Sequence, residues 1–333
     1  MAVLTGFTSV GVAGGGTNAF NNVTVGTPLN VDAAATSVTY TVAGTSGATN
    51  AVTVNLNAGA TGVGFTTGTL VLQDQNAVGV GTVNLVSTAP VFQGLHTITT
   101  LTDSALSSLN ISGSGSVLIS NAATSSTTLA IANASTSAAA TTITTLTSTG
   151  NVTGGLSYSG THAMSIGTLV DNVANLTLAN ANTGATGVLT VGTHTNTATA
   201  AGGLTLTGSV AYIGTSASTG AFTVSAGTDN QNVNWQTAAI TQAGVKTVTL
   251  GNGTNVVVTG IAADIISVGT GVNTVTGAVG GDRITFASDG VINTVDTAVM
   301  TAAGQTVTAA TPAAIVSGTT VLAGIDVITG LGS

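Results

Sequence analysis

Between Leu250 and Phe286 three columns of residues stay in step every nine positions. Asn255, Asp264, Asn273 and Asp282 form one column. Gly253, Ala262, Gly271 and Gly280 lie two residues before them, and Val257, Ile266, Val275 and Ile284 lie two residues after. Gly244, Lys246 and Val248 fit the same columns one period earlier. So short a repeat cannot bury its apolar residue alone; it does so by stacking on its neighbours. The pattern therefore points to a repeat architecture.

The composition agrees with strands. Of 333 residues only two are basic, Lys246 and Arg283, and all ten acidic residues are Asp. Charged residues make up 4% of the chain, against about 25% in an average protein. The strong helix formers Glu, Lys and Arg are nearly missing. Thr and Val favour strands, and Gly and Asn favour turns. The chain reads as all-β with many short strands.

The same numbers exclude several roles. Nucleic-acid binding needs Lys or Arg against phosphates, and a chain of net charge −8 with two basic residues does not supply them. No apolar run reaches the roughly 18 residues of a spanning helix. A membrane barrel calls for aromatic girdles, and aromatics are 3% of the chain. There is no Cys, so stability owes nothing to disulfides. The opening MAVLTGFTSVGVAGGG has neither a basic n-region nor a clear apolar core. The expectation is a cytoplasmic protein or one exported without an N-terminal signal.

Four regions follow from texture. Residues 1–90 read as a sheet or sandwich region; strict alternation runs from about 30 to 90, where SVTYTV (37–42) and AVTVNL (51–56) flank a Gly-bearing connection and read as a β-hairpin. Residues 91–245 carry recurrent short strands with Gly, Asn and Ser turns, a β-solenoid texture. Here TITTLT occurs at Thr97–Thr102 and again at Thr142–Thr147, an offset of five nines. Residues 246–290 are the nonapeptide region. Residues 291–333 hold a short-helix candidate and then a strand, VLAGIDVITGLGS.

The columns of 246–290 resemble the calcium-binding nonapeptide repeat of RTX proteins, G-G-x-G-x-D-x-U-x. The second Gly survives as Gly251, Gly260 and Gly269, and the apolar position is filled from Val248 to Ile284. The first Gly is absent, and the Asp position alternates Asn and Asp. The resemblance implies a parallel β-roll of two nonapeptides per turn, in which residues eighteen apart stack. Lys246, Asp264 and Asp282 would share one edge, and Asn255 and Asn273 the other. It implies Ca²⁺ ligated by Asp carboxylates and turn carbonyls, with Asp264, Asp282, Asn255 and Asn273 as candidate metal residues. Ions would sit on the Asp edge, most of all between the turns of Asp264 and Asp282; the Asn edge would form an amide ladder. A roll with no ion, held by Asn hydrogen bonds, is the alternative.

ALSSLNISGSGSVLIS and VGVGTVNLVST extend the resemblance to Caulobacter-type RTX surface-layer proteins. That family implies type I secretion with an uncleaved C-terminal signal and a calcium-dependent lattice on a bacterial cell surface. Its partners would be identical subunits, with cell-surface polysaccharide as a second candidate. A matrix filament and a secreted adhesin are the alternatives.

An enzyme is not expected. Cys chemistry is impossible, no carboxylate pair includes Glu, and neither H-E-x-x-H nor G-x-S-x-G occurs. His96, His162 and His194 read as ordinary surface or turn residues. Trp235 reads as a core anchor beside the roll.

Overall fold

The computed structural model describes residues 3–57, 63–89, 94–136, 141–148, 155–160, 162–171, 175–181, 189–196, 202–207, 210–212, 222–226, 231–234, 246–249, 255–258, 264–268, 273–276, 283–286, 296–299, 305–309, 320–322 and 325–329. The chain divides into two units, Met1–Asn172 with Gly184–Val188, and Val173–Thr183 with Leu189–Ser333.

The first unit contains β1 (Val10–Val12), β2 (Thr17–Val23), β3 (Leu29–Val31), β4 (Ala35–Val42), β5 (Ala51–Asn57), β6 (Thr66–Gln73) and β7 (Thr82–Thr88). It continues with β8 (Leu95–Thr102), β9 (Ser108–Gly113), β10 (Ser116–Thr124), β11 (Thr128–Ser135), β12 (Thr141–Ser148), β13 (Gly155–Gly160) and β14 (Met164–Asp171). Odd-numbered strands form one sheet and even-numbered strands the other, each in chain order. Neighbours within a sheet run parallel. Each coil of the chain thus lays one strand in each sheet, and the buried apolar side chains lie between the sheets.

This arrangement corrects the hairpin. β4 pairs with β2 and β6, whereas β5 pairs with β3 and β7. The connection between them, with a short 3-10 turn at Gly47–Thr49, carries the chain from one sheet to the other. A Gly-bearing link between two alternating runs serves either geometry. Pairing runs without a break past residue 90, since β6 pairs with β8 and β7 with β9.

In the odd-numbered sheet burial alternates, as in β5 and β7. In the even-numbered sheet the phase slips once. Ile98, Ile119, Ile143 and Ile166 are buried and in register; the next buried residues are Leu101, Ala122, Leu146 and Leu169, three positions on and again in register. Stacking the slip coil on coil keeps the ladder intact. The two TITTLT copies are this slip: Thr97 and Thr142 both pair with Leu118, so the copies lie two coils apart with β10 between them.

The second unit contains β15 (Asn175–Asn180), β16 (Leu189–Asn196), β17 (Gly202–Thr207), β18 (Val210–Tyr212), β19 (Phe222–Ala226), β20 (Gln231–Asn234), β21 (Lys246–Thr249) and β22 (Asn255–Val258). After these come β23 (Ile265–Val268), β24 (Asn273–Thr276), β25 (Arg283–Phe286), β26 (Asp296–Val299), β27 (Gln305–Ala309), β28 (Thr320–Leu322) and β29 (Ile325–Thr329). Odd and even strands again separate into two parallel sheets. One apolar column runs Leu176, Leu204, Val224, Val248, Ile266, Ile284, Val307 and Ile328. In the nonapeptide region Val248, Ile266 and Ile284 are eighteen residues apart, in register and buried. The short-helix candidate instead supplies strands β26 and β27; its remaining residues lie outside those described. Among the described residues no helix is long and apolar enough to cross a membrane.

Candidate functional site

Polar side chains gather where the chain crosses between the sheets. At the crossing from even to odd strands, Asp74 follows β6, Asp103 follows β8, Thr124 and Ser148 end β10 and β12, and Asp171 ends β14. All five are buried. Thr124 and Ser148 are register partners, and the flanking pairs set Asp103 and Asp171 in the same column.

Asp74 is held by backbone. Its Oδ2 accepts from Gly47 N at 3.1 Å, and its Oδ1 accepts from Asn76 N at 2.8 Å and Val78 N at 3.0 Å. Burial raises its pKa, but the N–H donors of Gly47, Val78 and Asn76 outweigh burial and hold the carboxyl below its usual value. In Asp103 the balance reverses. Its Oδ1 accepts from Ala105 N at 3.2 Å, while its buried Oδ2 has no partner among the described residues. Burial pushes its pKa up to about 7 against the N–H groups of Ala105, Val80 and Leu106. Thr124 Oγ1 accepts from Ser126 N at 3.0 Å and donates to Leu106 O at 2.8 Å. In three successive coils, therefore, a side chain at a strand end takes the N–H two residues on, the Asx and Ser/Thr turn that competes with ladder bonding. Glycine makes the stacking possible: a Cβ on Gly47 would lie 2.7 Å from Gly79 O and 2.9 Å from Asp74 Cβ, and one on Gly79 would overlap Asp103 Oδ1.

The opposite crossing is also polar. His96 is buried, as is His194, so the surface or turn role expected of these residues does not hold. His96 alternates in phase with Ile98, which turns it inward. Its Nδ1 lies 2.8 Å from Ser87 Oγ, its ring is 4.6 Å from the Phe65 ring, and burial lowers its pKa. The separation suits a nucleophile and base. Yet both groups are fully buried, and His96 Nε2 has no orienting partner among the described residues. The pair closes the core and is not open to a substrate. Two coils on, Asn133 Nδ2 donates to Thr141 Oγ1 at 3.0 Å, and one coil further Tyr158 donates to His162 O.

A pocket of about 410 Å³ lies beside Asp74, lined by Asn21, Asn22, Thr41, Gln73, Gln75 and Ala77 as well. Gln75 donates to Asn22 Oδ1, and Asn22 and Ala77 both adopt left-handed backbone at φ 59°. Nothing in the sequence periodicity marked this pocket; Asp and Asn around a strand end were its only signal.

Three of the expected calcium residues, Asn255, Asp264 and Asn273, fall at the starts of strands. Asn255 and Asn273 are direct partners in the even-numbered sheet. Asp264 precedes β23 in the odd-numbered sheet, is buried, and its carbonyl accepts from Arg283 N at 2.8 Å. Lys246 opens the adjoining strand β21, and the pair Thr247–Ile265 sets it beside Asp264 in the backbone. Asp282 and Trp235 lie outside the described residues. Among the described residues no group of three or more His, Asp or Glu is arranged to hold a metal ion. The donor chemistry of Asp264 suits Ca²⁺, a hard cation that takes oxygen. Comparison with protein-family models, with curated proteins and with solved structures finds no match.

Proposed function

We propose that this chain is a self-assembling extracellular structural subunit of a bacterial surface layer, with Ca²⁺ stabilising its lattice. One observation carries the reading. Successive coils present Ser, Thr and Asn in register on the outer faces of parallel sheets, while the apolar residues stack inside. Surfaces of this kind meet other copies with little charge repulsion. The role is structural and not catalytic. Export without an N-terminal signal and placement at the cell surface belong to the same reading, and rest on the resemblance to RTX surface-layer proteins.

Calcium is proposed at the Asp264 and Asp282 edge, with Asn255 and Asn273 forming an amide ladder on the other. Negative-stain microscopy of the purified chain tests both parts. Ordered sheets that dissolve on chelation, and that Asp264→Asn weakens, are the expected result. Sheets indifferent to chelator and to Asp264→Asn would remove calcium and leave the structural role. Monomers in both conditions would remove the role itself.

The amide-lined pocket beside Asp74 favours a second reading, an adhesin that binds polysaccharide. Amide and hydroxyl groups such as Gln73, Asn21 and Thr41 match the donors and acceptors of a sugar. Glycan-array binding abolished by Gln73→Ala, in a chain that never assembles, would move that reading to the front.

A further inference from the structure

We infer that the outward face of β4, β6, β8, β10, β12 and β14 is the surface on which a second copy of this chain seats, sheet against sheet. The inference rests on the self-assembly reading and gives it a location.

Three observations converge on this face. First, its residues form unbroken columns. Ser37, Thr69, Thr100, Asn121, Thr145 and Thr168 are register partners across all six strands. A parallel column, Thr39, Val71, Thr102, Ala123, Thr147 and Val170, lies two residues on. Parallel strands repeat at about 4.8 Å, so both columns are regular arrays. Second, no charged side chain points outward from these strands, although the chain carries a net charge of −8. Hydroxyls both donate and accept, so such a face is complementary to itself, and two copies meet without like charges opposed. Third, parallel sheets are ordinarily covered on both faces, and among the described residues of this unit the inner face alone is covered.

The size also fits. Six strands at about 4.8 Å and roughly eight residues at about 3.3 Å give an area of about 750 Å². A standard interface uses about 800 Å² per partner. The outer face of the odd-numbered sheet is a poorer candidate. Its amides are already bonded along the ladder, Asn55 Nδ2 to Asn30 Oδ1 at 2.7 Å and Asn110 Nδ2 to Asn84 Oδ1 at 2.9 Å, and β11 presents mainly Ala.

The test places like charges on one face at a time in the full chain. Thr100→Lys with Thr145→Lys alters the proposed face; Thr53→Lys with Ala130→Lys alters the other. Thermal unfolding confirms that each variant folds, and sedimentation velocity reads association. The expected result is at least a tenfold weaker association for the first variant and parental association for the second. Parental association of the first variant, with loss in the second, would overturn the location and leave self-assembly standing. A first variant that assembles normally but loses polysaccharide binding would assign the face to sugar and overturn the inference. A parent chain that is monomeric in every condition would overturn both the inference and the reading beneath it.

Discussion

Set the coils of β4 to β14 beside the nonapeptide roll of β21 to β25. In the former, strands run eight or nine residues, and the buried column Leu70, Leu101, Ala122, Leu146, Leu169 is reached after turns of unequal length. In the latter, strands are four residues long and Val248, Ile266, Ile284 recur at a fixed interval. Both solve the same problem, burying apolar residues in register between parallel ladders. They differ at the edge. Long coils have turn N–H groups to spare and satisfy Asp74 with three of them. The roll crosses from β22 to β23 in six residues, 259–264, and its Asp264 edge is where we propose an ion instead. Asp103, on the five-residue crossing 103–107, keeps one oxygen without a partner among the described residues, so the backbone N–H groups within reach decide whether an edge carboxylate is neutralised from within.

The largest effect is expected in the core the two regions share. Ile119→Ala opens a cavity between Ile98 and Ile143 and should cost about 2–5 kcal/mol in urea unfolding. Ile266→Ala should cost a similar amount in the roll. The comparison breaks if the roll variant unfolds like the parent.

Edge variants come next. Asp74→Ala strands three N–H groups and should cost about 1–3 kcal/mol at neutral pH. Because the folded state lowers the pKa of Asp74, its contribution is present above the ordinary carboxylate value and is lost as pH falls. The cost should therefore shrink in acid, and a cost that grows in acid would contradict the backbone-held carboxylate. Asp103→Asn should act with the opposite sign. Its folded pKa of about 7 lies above the ordinary 3.8, so its contribution is full below 3.8 and lost as pH rises through about 7. The Asn variant should match the parent in acid and exceed it by on the order of 1–3 kcal/mol above pH 7. Chemical unfolding at several pH values reads both variants.

The smallest effect concerns the turn that holds Asp74. Ala77 sits at φ 59°, where an L side chain costs roughly 1–2 kcal/mol and Gly does not. Ala77→Gly should raise the unfolding free energy by less than about 1 kcal/mol, because Gly loses more freedom on folding.

Legibility in the sequence followed the same divide. A fixed nine-residue interval made the roll readable, down to the stacking of Val248, Ile266 and Ile284. The all-β character followed from Thr, Val and missing Glu. The long coils were harder. Alternation in SVTYTV and AVTVNL was read correctly as strand, but alternation does not say which strand a run pairs with, and the hairpin was the local answer to a non-local question. The Ile-x-x-Leu spacing of Ile98 to Leu101, Ile143 to Leu146 and Ile166 to Leu169 was the visible trace of the stacked slip. Strict period-two reading passes over it. His96 was legible from its phase with Ile98. Asp74 and Asp103 were not, because their partners are backbone groups that no side-chain motif records.

The measurement that tests the account most directly is amide hydrogen exchange of the unassembled full chain with Ca²⁺ and with chelator, read by mass spectrometry. The account predicts that chelation leaves protection of β4 to β14 unchanged and lowers protection of β21 to β25. Equal protection of β21 to β25 in both conditions, or loss of protection in β4 to β14 on chelation, would contradict it.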